Sequence, residues 1–293
     1  YKRFMDASKT ERLCTEEIVR RARECGFVDL AEVGKLQPGD KVYSINRGKA
    51  VTLAVIGSEE VASGVSIVGS HVDAPRLDLK QNPLYEDGGM ALMKTHYYGG
   101  IRKYQWVARP LALCGVVVRR DGSVLSVNVG DEPGDPVFYI SDLLPHLAAD
   151  QNKKTLSEGI AGEDLNILAG SLPAGEPKDE GRFKLGVLRL LNDKYGMTEE
   201  DFVSAELELV PAGKARDVGF DRGAVAAYGH DDRVCAYTSL RALLALKTCK
   251  KTAIALFVDK EEIGSVGSTG MHSRNFANVL VRMIELQRGA CSG

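Results

Sequence analysis

The stretch TAIALFVDKEEIGSVGS, Thr252–Ser268, decides the reading of this 293-residue chain. Ala253 to Val258 form an unbroken apolar run, the pattern of a strand covered on both faces. Asp259, Lys260, Glu261 and Glu262 follow at once. Carboxylates gathered at the end of a buried strand repel one another and lose hydration. They need a positive neighbour or open water: a basic side chain, a metal ion, or solvent. Working outward, Val234–Lys247 has the apolar density of a helix. GVSIVGSHVDAP places a second buried strand at Val65–Val68, running into a polar turn that ends at Pro75. Strand, helix and strand without alternation predict an α/β fold, a mainly parallel sheet flanked by helices.

Ser8 and Glu11 are spaced as a capping signal for a helix through about Cys25, and Lys41–Ile45 and Val51–Ile56 read as short strands. The texture then changes. ALCGVVVRRDGSVLSVNVG sets β-rich runs on either side of Asp121-Gly122, a hairpin signal. SAELELVPAG alternates Leu207 and Leu209 with Glu206 and Glu208, as a half-exposed strand would. A short helix is expected around Phe183–Tyr195, and the Gly- and Pro-bearing stretch from Glu163 to Arg182 reads as a long loop. The predicted organisation is an α/β domain in two parts, 1–80 and 211–293, with a β-rich domain inserted at 81–210.

A formal net charge of −2 gives no electrostatic reason to expect nucleic acid or an anionic membrane as partner. The apolar runs are strand-sized, far short of a bilayer span. The opening YKRFMDASKTERLC has no apolar signal core. Six cysteines (Cys14, Cys25, Cys114, Cys235, Cys249, Cys291) are scattered without a C-x-x-C pair, as free thiols of a reducing compartment would be. The expectation is a cytoplasmic globular protein.

Three clusters can carry chemistry. In GSHVDAPRLDLK, His71 follows a buried strand, where open α/β sheets bind ligands. A neutral imidazole suits zinc, and Asp73 has the chemistry to orient it. Taken alone, H-x-D is better explained by a histidine that merely caps a turn. In YGHDDRVCAYTSL, Asp231 and Asp232 open a helix, where its dipole favours acids. One of them could instead bind metal while Arg233 holds its neighbour. His230 reads as a packed or exposed turn histidine, and Cys235 as a small core residue. Glu261 and Glu262, adjacent in a turn, diverge, so one can coordinate a metal while the other serves as general base. A solvated acidic turn with Lys260 as partner is the plain alternative. Two strand ends and a helix start delivering such groups to one crevice favour the metal. No H-E-x-x-H helix, P-loop or G-x-S-x-G elbow competes.

Together GSHVDAPRLDLK, HYYGGIRKYQW, GHDDRVCAY and DKEEIGSVGSTG resemble the aspartyl aminopeptidase family of di-zinc metallopeptidases, particularly its bacterial branch, over nearly the whole chain. The resemblance implies roles by position. His71 is a zinc ligand and Asp73 the acid that steers it. Asp231 bridges two metals, Glu261 is the general base, and Glu262 binds the second metal. The resemblance also makes the inserted domain a dimerisation domain. In LLPHLA it puts His146, otherwise read as a helix-start residue, where it would reach a neighbouring subunit's substrate site. Peptide substrates, two zinc ions per complete site (with cobalt or manganese possible) and homo-oligomers up to a tetrahedral dodecamer are implied in turn.

The family site also needs a further aspartate and a C-terminal histidine. No aspartate follows Glu262, and His272 in TGMHSRN matches no ligand position. Each metal would then be a ligand short of three. The expectation is a C-terminally truncated metallo-aminopeptidase that binds metal weakly and is nearly inactive as this chain. The alternative is a non-catalytic assembly or scaffold subunit keeping the dimerisation domain.

Overall fold

A computed structural model describes residues 1–289. The chain forms two compact units, one of Tyr1–Ala74 with Lys214 onward, the other Pro75–Gly213. In chain order, helices α1 (Lys2–Ala7) and α2 (Glu11–Glu24) precede strands β1 (Val28–Asp29), β2 (Lys41–Asn46), β3 (Ala50–Val55) and β4 (Val65–His71). The second unit contributes β5 (Arg76–Asp87), β6 (Met90–Tyr98), β7 (Leu111–Val118), β8 (Val124–Val129), β9 (Ile167–Gly170), α3 (Arg182–Tyr195) and β10 (Ala205–Pro211). The first unit resumes with β11 (Arg216–Val218), β12 (Ala224–Ala226), α4 (His230–Leu244), β13 (Thr252–Val258) and α5 (Asn275–Arg288).

The first unit is a three-layer α/β arrangement on a five-stranded sheet of order β1-β2-β3-β13-β4. Alternate residues of the central strands enter opposite cores. Val51, Leu53, Ala255 and Phe257 meet α1, α2 and α4 through Phe4, Ile18 and Leu240. Ala54, Ile254 and Leu256 meet α5 through Val279, Met283 and Leu286. Burial of both parities is why these strands read as continuous apolar runs. The sheet is mixed, a correction to the mainly parallel expectation: β1–β2 and β13–β4 are parallel, β2–β3 and β3–β13 antiparallel. The β2–β3 step is local, while β3 meets β13 from far along the chain. Arg47 and Gly48, with φ of 52° and 70°, are the central residues of a turn closed by Lys49 N–H donating to the Asn46 carbonyl at 3.0 Å, within a three-residue connection.

The helix start also differs. Ser8 ends α1 as its C-cap, so the N-cap of α2 is Thr10, whose hydroxyl accepts from Leu13 N–H at 3.2 Å.

The second unit is a six-stranded antiparallel sheet of order β8-β7-β10-β5-β6-β9. Because β5 starts at Arg76 and already pairs there, the unit is wider than 81–210. The expected loop 163–182 contains strand β9, paired with β6. Glu208, expected outside, is 5% exposed, with Arg76 Nη2 at 3.3 Å as its counter-charge. His146 lies in a turn and starts no helix.

Candidate metal centre

Strands β4 and β13 run parallel in register, with Val258 opposite His71. Their ends therefore emerge side by side, and α4 starts beside them. His71 is 8% exposed. Its Nδ1 lies 3.0 Å from the Asp73 carbonyl oxygen and 3.2 Å from Asp73 Oδ1. A carbonyl only accepts, so Nδ1 carries the hydrogen and Nε2 is left for a cation. Around Nε2 stand Asp231 Oδ1 at 3.1 Å and Glu261 Oε2 at 3.6 Å.

One ligand atom from each of His71, Glu261 and Glu262 falls within 4.8 Å of the other two, a grouping that no other residues match among those described. Asp231 touches His71 but stands outside that trio, with its side chain 87% exposed. The structure thus gathers His71, Asp73, Asp231, Glu261 and Glu262, while His146 belongs to the other compact unit.

Asp73 is completely buried and ties the site together. Its carboxylate accepts from the backbone N–H of Glu261 at 3.3 Å and of Glu262 at 3.2 Å. The imidazole and the acid pair are thereby fixed to one group. Three consecutive residues of α4 grip the β4 end in parallel fashion. Asp231 meets the His71 ring, Asp232 Oδ2 accepts from His71 N–H at 3.3 Å, and Arg233 Nη2 donates to the Val72 carbonyl at 3.2 Å. Arg233, 1% exposed, also donates to the Lys9 carbonyl at 2.9 Å, so it does not hold Asp232. Gly229 is required beside it: a Cβ there would stand 1.7 Å from Arg233 Nη1, and its φ is +78°.

The electrostatics are those of an acidic pocket. Burial disfavours a charged His71, but Asp73, by hydrogen bonding and by charge, and Glu261 outweigh it and push the imidazole up to about 9. Glu262 is raised by its own burial and by Asp73, Asp231 and Glu261, against relief from His71. Asp259 belongs to none of this. It is fully buried, raised by burial and by the charge of Glu11, and it accepts from Thr269 Oγ1 at 2.6 Å. Lys260 Nζ lies 3.9 Å from Asp259 Oδ2.

Two neighbouring residues were open in the sequence. His230 is packed, with Tyr1 Oη at 2.7 Å from Nδ1 and the Val225 carbonyl at 3.0 Å from Nε2. Cys235, expected in the core, is exposed, because it shares the α4 face of Asp232. Sequence reasoning missed Thr269 and the backbone N–H groups that bind Asp73. Thr269 had a faint signal, as a hydroxyl after a glycine turn; backbone donors have none.

The family model described as "Aminopeptidase I zinc metalloprotease (M18)" matches residues 4–290. A probable M18 family aminopeptidase 1 of Clostridium acetobutylicum is 51% identical over 290 residues, covering 98% of this chain and 62% of that protein. The crystal structure of an M18-family aminopeptidase from Thermotoga maritima superposes with a TM-score of 0.93 at 45% identity, over 99% of this chain and 63% of that one. Aminopeptidase I from Clostridium acetobutylicum gives 0.89 at 48%, over 98% and 65%. The chain thus spans under two thirds of the length of these relatives. On the matched family model and the shared fold, this chain belongs to the M18 family of aminopeptidase I zinc metalloproteases.

Proposed function

We propose that the protein is a metal-dependent aminopeptidase that removes N-terminal residues from peptides, and that zinc is its metal. The observation that carries this is the convergence of His71, Glu261 and Glu262 on one spot, with Asp73 gripping all three. One borderline nitrogen and several carboxylate oxygens form a donor set that suits zinc, and the excess of acid wants a cation. Bound there, a divalent ion would polarise a peptide carbonyl and acidify water. His71 offers Nε2, Glu262 a carboxylate, and Asp231 a second carboxylate beside that same ring nitrogen. Asp73 keeps the ring in one tautomer. Glu261, 55% exposed in its side chain, is free to take a proton from water and hand it to the leaving amine.

Two metals per site, with Asp231 shared, and a part for His146 across a subunit boundary belong to the same proposal. Leu143, Leu144 and Leu147, all more than half exposed around His146, support assembly into homo-oligomers through the Pro75–Gly213 unit. A cytoplasmic location accords with free thiols at Cys14, Cys25, Cys114, Cys235 and Cys249. Among the described residues no helix is long and apolar enough to cross a membrane.

The test is peptidase activity of the full gene product with zinc supplied. Glu261→Gln should lower kcat by about 100-fold or more, the usual worth of a general base. An active Glu261→Gln variant would remove that role. Equal inactivity of both proteins with zinc bound would favour a scaffold subunit.

A further inference from the structure

Asp73 holds the Glu261–Glu262 turn from one side. On the other side the chain leaves β13 through Asp259, turns at Lys260 (φ 73°), passes Gly264 and Ser265 at φ of 85° and 60°, and returns to Thr269. Inside the loop, Ser265 N–H donates to the Lys260 carbonyl at 2.6 Å and Gly264 N–H to Glu261 at 2.9 Å. The loop closes where its ends meet. Asp259 Oδ1 accepts from Lys260 N–H at 2.8 Å and Oδ2 from Thr269 Oγ1 at 2.6 Å. Asp259 is wholly buried and Thr269 6% exposed, so water cannot replace this hydroxyl cheaply. Next to it, Asn46 Nδ2 donates to the Ser268 carbonyl at 2.7 Å and pins the returning arm to the β2–β3 hairpin.

We propose that Thr269 is a positioning residue for the Glu261–Glu262 pair, acting through the buried carboxylate of Asp259. The inference rests on the metal-site reading above for its consequence, but not for its geometry. Thr269 touches neither acid of the pair. It fixes the far end of their loop, as Asp73 fixes the near end. Without the hydroxyl, a buried carboxylate loses a donor and the loop must shift to find another. Both glutamates then sample positions away from His71.

The experiment compares wild type, Thr269→Val and Thr269→Ser by amide hydrogen exchange of the metal-free protein and by zinc titration. Thr269→Val should speed exchange at Glu261 and Glu262 about tenfold, while β13 amides at Ile254–Leu256 stay unchanged. Its zinc affinity should fall about 10- to 100-fold, the usual effect of losing a group that orients ligands. Thr269→Ser should restore both. If Thr269→Val does not fold, Thr269→Cys, with a weak thiol donor, takes its place in the same comparison. Wild-type exchange at Glu261 and Glu262 in the variant would overturn the proposal. A wild type that binds no zinc would sink the metal reading, yet leave the exchange result to decide the role of Thr269.

Discussion

At the scale of single residues, the site is set by one imidazole among acids. With His71 pushed up to about 9, the metal-free protein is protonated there at neutral pH. Zinc must displace that proton, because a ligating imidazole is neutral. The apparent zinc affinity should therefore rise about tenfold per pH unit between pH 7 and 8.5. Titration calorimetry in buffers of different ionisation heat should find close to one proton released from this group per ion. A pH-independent affinity would mean that Nε2 is not a ligand. Asp73→Asn tests the cause. With its negative charge gone, the His71 pKa should drop by at least about one unit, followed by NMR of the ring proton. His71 and the acids were legible because each sits where a strand ends or a helix begins. The part played by Asp73 in holding Glu261 and Glu262 was not, since it binds main-chain groups that every residue carries.

At the scale of elements, strand β13 was readable to its last residue because both its faces are buried. Partners distant in sequence were not readable. Alternation put Glu208 in solvent, but Arg76, on the neighbouring strand β5, draws it inside. The sequence pattern took Ser8 as the cap of α2, but with α1 in place Ser8 ends one helix and Thr10 starts the next. Thr10→Ala should accordingly cost about 1 kcal/mol in chemical denaturation, and Ser8→Ala should not reproduce that loss through α2. Strand β4 carries a different liability. Among the described residues it is hydrogen-bonded on one side alone, to β13, and its edge offers Ile67 at 49% and Val68 at 42% exposure with no charge nearby on the strand. Such an edge recruits other strands. Ile67→Lys should reduce concentration-dependent association in light scattering while leaving zinc affinity intact. Unchanged association would place the sticky surface elsewhere.

At the scale of the whole molecule, the acid cluster is a cost that the metal-free fold carries. His71, Glu262 and Asp259 all have folded-state pKa values above their ordinary ones. Each binds its proton more tightly folded than unfolded, so each lends full support below its unfolded pKa and withdraws it as pH rises through the folded one. For the two carboxylates the loss begins on the acid side of neutrality. For His71 it runs from 6.5 to about 9. The thiol of Cys14, which burial pushes up to about 11 despite relief from Arg233 and Ser8, extends the same trend at still higher pH. Metal-free protein should therefore melt at progressively lower temperature from pH 6.5 to 9.5. Zinc should reverse the slope, since it takes the place of the proton on His71 and neutralises the glutamates, and it binds better as protons leave. Scanning calorimetry with EDTA and with excess zinc tests both arms. A metal-free melting temperature that climbs over this range would mean that the acids do not hold a proton on His71 in the folded chain, and the electrostatic reason for a cation at this site would fall with it.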